Sequence, residues 1–337
     1  MLRRYIESRE KHFHASDTRR TSLPFEYGTQ FVGVTPGAGE SPSAALHNFA
    51  QRTLASSDSF FDYVPTDEYC LEGEILRFPS AIETEYRENN TVWGRFFPGP
   101  RPIALIVLPQ WNCTWEGHIG LCRLLQRAGF ASLRLSLPYH HFRKPPQLER
   151  PEYMVSANLG QTLQATRQAV LDARRAADWL LARGYPRVGI LGSSLGSCVA
   201  FLTFTHDTRF TAGVFIHVAG YFADVVWHGL STAHVRESLE GQIDIEQLRH
   251  IWAPISPLPY IKRLKHTQRR ILMFSGRYDP TFLPRLSQQA FDEFDRQEVP
   301  YRLRWLACGH YTMAQFPFNA LVVKDVLRFL KREPDRR

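Results

Sequence analysis

A serine between two glycines, an aspartate and a histidine stand in this chain where covalent acyl chemistry would need them. The serine lies in Arg187-Val188-Gly189-Ile190-Leu191-Gly192-Ser193-Ser194-Leu195-Gly196-Ser197. An apolar run with Val188, Ile190 and Leu191 stops in Gly-Ser-Ser-Leu-Gly, and Val199, Ala200, Phe201 and Leu202 follow as apolar positions of a helix. Strand, tight turn and helix with Ser194 at the apex is the pattern of a nucleophile elbow. Gly192 and Gly196 fit it, because strand and helix pass too close there for side chains. A serine hydroxyl is a weak nucleophile at neutral pH and needs a base, usually a histidine oriented by a carboxylate. In an open α/β sheet such groups gather at the carboxyl ends of strands. Two later strand ends offer them: Gly276-Arg277-Tyr278-Asp279-Pro280 beyond residues 270–275, and Cys308-Gly309-His310-Tyr311 beyond residues 301–306.

The elements that must position these groups alternate. Ile103-Ala104-Leu105-Ile106-Val107-Leu108 has no polar alternation, which predicts a strand buried on both faces of a largely parallel sheet. A helix is expected from about Gly117 to Arg127, then a strand at 131–135. A long helix follows from about Leu159 to Arg183, with Val170, Ala173, Ala177, Leu180 and Leu181 on one face. Beyond the Ser194 unit come a strand at Gly213–His217, the strand at 270–275, a helix, the strand at 301–306 and a last helix through Leu330. Antiparallel strands are expected between Tyr69 and about Phe97, with a turn at Asn89-Asn90. Alternation with short links implies a doubly wound α/β sheet with helices on both faces. Residues 1–65 have no strand rhythm and are expected to form an extension packed on the core. Only Ser41-Pro42 marks a helix start there. The domain proper is expected at 66–337, with an insertion at about 221–263.

The chain has 337 residues, enough for one large domain, and its 44% hydrophobic and 22% charged content is that of an ordinary globular protein. A formal charge of +8 raises the question of an anionic partner. The basic residues are dispersed, however, and the densest group (Lys262, Arg263, Lys265, Arg269, Arg270) precedes a strand, so no nucleic-acid partner is expected. Five cysteines show no CxxC pairing or zinc-ligand spacing. They read as reduced thiols, Cys198 as a small core residue. His140-His141 lacks a third ligand at metal spacing, so neither metal nor cofactor is expected. No apolar leader and no membrane-length apolar run are present, which predicts a cytoplasmic location.

The chain resembles the α/β-hydrolase superfamily from before Ile103 to its C-terminus. The resemblance rests on Gly-Ser-Ser-Leu-Gly, Ser-Gly-Arg-Tyr-Asp-Pro, Cys-Gly-His-Tyr and Leu-Pro-Tyr-His-His after residues 131–135. It is nearest to esterase-like α/β-hydrolase domain-containing proteins of unassigned substrate. The order Ser, Asp, His is that of the superfamily. The resemblance implies Ser194 as nucleophile, His310 as general base and then acid, and Asp279 as its orienting carboxylate. It implies an oxyanion hole from the N–H of Leu195 and a second donor after residues 103–108. Where many relatives carry His-Gly, this chain has Pro109-Gln110-Trp111, so the second donor falls to Gln110 or Trp111. His140, His141, His217 and Trp227 are expected to border the substrate pocket, and residues 221–263 to form a helical cap. The expected activity is a carboxylesterase-like serine hydrolase acting on a small acyl substrate. Acyl transfer by the same triad, or a non-catalytic binding protein of this fold, are the alternatives.

Overall fold

The apolar run Ile103–Leu108 is buried at all six positions, as a strand covered on both faces must be. It lies inside one nine-stranded sheet in a computed structural model that describes residues 1–332. The last five residues of the expected 66–337 domain lie outside the described residues. The strands are β1 (Cys70–Glu72), β2 (Ile75–Pro79), β3 (Thr91–Phe97), β4 (Ile103–Leu108), β5 (Ala131–Leu135), β6 (Arg187–Ser193), β7 (Phe210–Ile216), β8 (Arg270–Gly276) and β9 (Arg302–Leu306). Their order is β1-β2-β3-β5-β4-β6-β7-β8-β9. The pairs from β1 through β3 to β5 are antiparallel and all later pairs parallel, with Ile106 opposite Leu133 on one side and Ile190 on the other.

The helices are α1 (Leu2–Ser16), α2 (Pro42–Ala55), α3 (Ser57–Phe60), α4 (Ile119–Arg127), α5 (Leu159–Ala182), α6 (Leu195–His206), α7 (Phe222–His228), α8 (Ala233–Leu239), α9 (Ile245–Ile251), α10 (Pro284–Arg296) and α11 (Phe318–Lys331). Alternate residues of β4 feed two cores. Ile103, Leu105 and Val107 pack with α4 and α11. Ala104, Ile106 and Leu108 face the larger core of α5, α6 and α10. The fold is that of the α/β hydrolases. Every residue of α6 is buried, so a helix apolar nearly all round carries the turn after β6 on a rigid base. Helix α4 starts later than its apolar pattern suggests, because His118 before it is left-handed at φ 68°.

Helices α7, α8 and α9 form the insertion between β7 and β8, its end anchored by the fully buried Trp252, whose indole donates to Leu159 O at 3.1 Å. The N-terminal residues pack on the domain. Ser41 caps α2 through Ala44 N at 3.2 Å, and residues 26–28 pair with the start of α5 through Leu159 N to Glu26 O and Gly160 N to Tyr27 O. A Cβ on Gly160 would sit 1.8 Å from Gly28 O. The three arginines near 262–270 turn back on the protein: Arg263 pairs with Asp58, and Arg269 and Arg270 donate to the carbonyls of Phe204 and Phe329. Among the described residues no helix is long and apolar enough to cross a membrane.

Candidate active site

Four strand ends meet at one point. Strand β6 hands Ser194 to the head of α6 in a strained conformation, φ 53° and ψ −120°. The strain is held by close packing on both sides: a Cβ on Gly192 would lie 2.0 Å from Gly196 O, and one on Gly196 would lie 2.4 Å from Leu108 O and Pro109 O. Ser194 N is fixed to Ile216 O at 2.8 Å. The turn after β9 brings His310 Nε2 to 3.1 Å from Ser194 Oγ. The turn after β8 brings Asp279 Oδ2 to 3.2 Å from His310 Nδ1. Asp279 is itself fixed, its Oδ1 accepting from Thr281 N at 2.7 Å and Phe282 N at 2.8 Å. The Phe282 ring stacks on His310 at 5.5 Å and 5°.

The end of β7 adds His217, at a left-handed φ of 66°. Its Nδ1 lies 2.9 Å from Asp279 Oδ2, although off the line of a hydrogen bond, and its ring is 4.3 Å from that of His310. Burial pushes the His217 imidazole below its ordinary pKa, with His310 adding to the effect. Burial alone would raise the Asp279 carboxyl. The imidazoles of His310 and His217 overcome this and hold it well below the usual carboxylate range. The donor atoms of His217, Asp279 and His310 lie within 4.8 Å of one another. A cation could bridge them only if His310 Nδ1 surrendered the proton it donates to Asp279.

Above these groups opens a cavity of about 590 Å³, a size suited to a small organic ligand. Phe201, Phe215, Phe222, Val225, Val226 and Phe282 make much of its apolar wall, and Arg20, Asp17 and Arg150 its polar part. Ser194, His310, His217, Leu195, Gln110 and Trp111 all line it, whereas Asp279 stands behind His310. The N–H groups of Gln110 and Trp111 meet no acceptor among the described residues, while that of Asn112 donates to His140 Nε2 at 3.1 Å. The Trp111 indole is pinned between the Arg150 guanidinium, 5.2 Å from its centre, and the His234 ring, stacked at 5.5 Å.

His140, His141 and Trp227 do not line the cavity. The two histidines sit behind its wall: His140 holds Asn112 N, and His141 bonds Cys113 O at 2.7 Å and Ser136 Oγ at 2.8 Å. They fix the loop after β4 rather than face a ligand. Trp227 turns to the larger core, and its neighbours Val225 and Val226 face the cavity instead. Cys198 touches the cavity, but burial pushes its thiol up to about 12. Several lining residues carried no sequence signal. Phe13, Asp17 and Arg20 arrive from the N-terminal extension, and His118 places Nε2 3.1 Å from Ser193 Oγ. Burial, then the Arg134 guanidinium, lower His118 to about 4, so it is neutral at pH 7.

The sequence matches the prolyl oligopeptidase family over residues 160–335. Among solved structures the chain is similar to an acetyl xylan esterase from Paenibacillus sp. R4, with a TM-score of 0.60 and 16% identity over 89% of this chain and 98% of that one. It is also similar to an esterase of Pyrococcus furiosus, with a TM-score of 0.55 and 17% identity over 81% of this chain and 95% of the other. The acylaminoacyl peptidase of Pyrococcus horikoshii gives a TM-score of 0.57 at 13% identity, over 82% of this chain and 42% of that one. At such identities the likeness is one of fold. No curated protein sequence matches the chain.

Proposed function

We propose that this chain, which belongs to the prolyl oligopeptidase family and is a serine hydrolase, cleaves an ester or related acyl bond through an acyl-enzyme on Ser194. The observation that carries this reading is the unbroken line from Ser194 Oγ to His310 Nε2 and from His310 Nδ1 to Asp279 Oδ2, at 3.1 and 3.2 Å, opening on an apolar cavity. His310 takes the Ser194 proton as Oγ attacks the acyl carbon, and the ionised Asp279 stabilises the imidazolium formed. The oxyanion is met by the N–H of Leu195 at the head of α6 and by an N–H of Gln110 or Trp111, which have no other acceptor among the described residues. His310 then returns the proton to the leaving group, and water repeats the sequence to release the acid. The apolar wall favours an apolar acyl group or ring.

The family match and the acylaminoacyl peptidase neighbour favour a second scissile bond, the amide of a small acylated peptide. Turnover of p-nitrophenyl esters of graded chain length, beside the matching p-nitroanilides, separates the two. An ester burst equal to the enzyme concentration and a loss of about 10⁴ or more in kcat for Ser194→Ala are expected. Full activity in Ser194→Ala contradicts the reading.

A further inference from the structure

The N-terminal helix holds the loop that carries His310, and it does so through one buried carboxylate. Glu10 is 1% exposed. Its Oε2 accepts from Tyr311 N at 3.0 Å, and its Oε1 accepts from Thr312 N and Thr312 Oγ1, both at 2.8 Å. The same threonine hydroxyl accepts from Gly309 N at 2.8 Å. Every backbone N–H from Tyr311 to Thr312 is thus tied to α1, and that of Gly309 is tied to it through one hydroxyl. The fit leaves no space: a Cβ on Gly309 would lie 2.4 Å from Glu10 Cδ and 2.5 Å from its Oε1, and the three nearest atoms are all Glu10's. A buried carboxylate without partners is costly, so these donors fix Glu10 as firmly as Glu10 fixes the loop.

The geometry points to Glu10 as a positioning residue for His310, which makes α1 part of the active site rather than an appendage. This inference rests on His310 being the base of the proposed reaction. Glu10 touches no reacting atom. It fixes the backbone on the carboxyl side of His310, as Asp279 fixes the imidazole. Base and nucleophile work only within a few tenths of an ångström, and misplacement by about 1 Å costs about 10²-fold in rate.

The test is a double-mutant cycle on the full-length chain, read as kcat and KM for one p-nitrophenyl ester and as the rate of fluorophosphonate labelling. Glu10→Ala is expected to lower kcat about 10²-fold with KM little changed. Glu10→Gln keeps an acceptor toward Thr312 but turns an amide N–H toward Tyr311 N, and should fall in between. Gly309→Ala drives the carboxylate out and should lower kcat on its own. In the Glu10→Ala background the added methyl has room, so the double variant should be no slower than Glu10→Ala. Native kcat in folded Glu10→Ala, or losses that add in the double variant, would overturn the inference. If Glu10→Ala does not fold, Gly309→Ala and Glu10→Gln decide, and native kcat in both overturns it. A native chain that takes no label on Ser194 sinks the site reading and this inference together. A labelled native chain with an equally fast Glu10→Ala sinks only this one.

Discussion

Asp279 divides its work between its two oxygens. Oδ1 receives two backbone N–H groups, and Oδ2 faces the imidazoles of His310 and His217. This division predicts what Asp279→Asn does. The amide oxygen must take the Oδ1 place, because Thr281 N and Phe282 N offer only hydrogens there. The NH₂ then points at His310 Nδ1, which can answer only as an acceptor. His310 is left with its hydrogen on Nε2, facing Ser194 Oγ, and cannot accept the serine proton. The expected loss is about 10⁴ in kcat with KM little changed, measured on the ester used for the native chain. Activity within tenfold of native would show that Asp279 does not set the tautomer.

At the scale of elements, the elbow and the loop after β4 are one packing unit. The backbone of Gly196 lies against Leu108 O and Pro109 O, so the head of α6 and the peptides leading to Gln110 and Trp111 hold each other in place. Gly196→Ala forces these backbones apart. It is expected to destabilise the fold by ~2 kcal/mol and to lower kcat, read by thermal melting and ester kinetics. Unchanged values in both would show that the elbow tolerates a side chain.

These elements were legible because each carries a continuous apolar signal: Ile103–Leu108, the run into Gly192, the face of α5. The Ser and Asp candidates were legible because each stands just beyond such a run, and the His candidate because it follows the alternating strand pattern of residues 301–306. Helix α1 was not, since its buried residues are Ile6 and Glu10 alone, which is no apolar stripe. Glu10 finds its partners some 300 residues away, and His118 finds Ser193 75 residues away. Neither pairing leaves a local pattern. The turn expected at Asn89-Asn90 does precede β3, but its burial was not legible: Asn89 is fully buried, donating to Gln168 Oε1 at 2.9 Å and accepting from Tyr139 N at 3.0 Å.

The whole molecule carries a set of buried neutral histidines, and acid should find them. Burial first, modified by nearby cations and carbonyls, lowers His118, His141 and His206 to about 4 and His140 well below its ordinary value. In the unfolded chain each binds its proton at about 6.5. Between about 4 and 6.5 the unfolded state therefore holds more protons, and stability rises with pH across that window. Asp279, depressed when folded, adds stability that is lost as pH falls below about 4. The melting midpoint should fall from pH 6.5 to 4.5. The fall should be shallower in His206→Gln, at the far end of α6 from Ser194, where His206 bonds Leu202 O at 2.9 Å and Ser57 Oγ at 3.2 Å. An identical slope in that variant would remove His206 from the acid response.

Strands β6, β8 and β9 converge on a single hydroxyl, that of Ser194. Its neighbour supplies the rival, because Ser193 Oγ also faces an imidazole, that of His118. Peptide mapping by mass spectrometry after reaction with a fluorophosphonate separates the two directly. One adduct on Ser194, absent from Ser194→Ala, is the predicted result. An adduct on Ser193, or equal labelling of native and Ser194→Ala chains, would contradict the account.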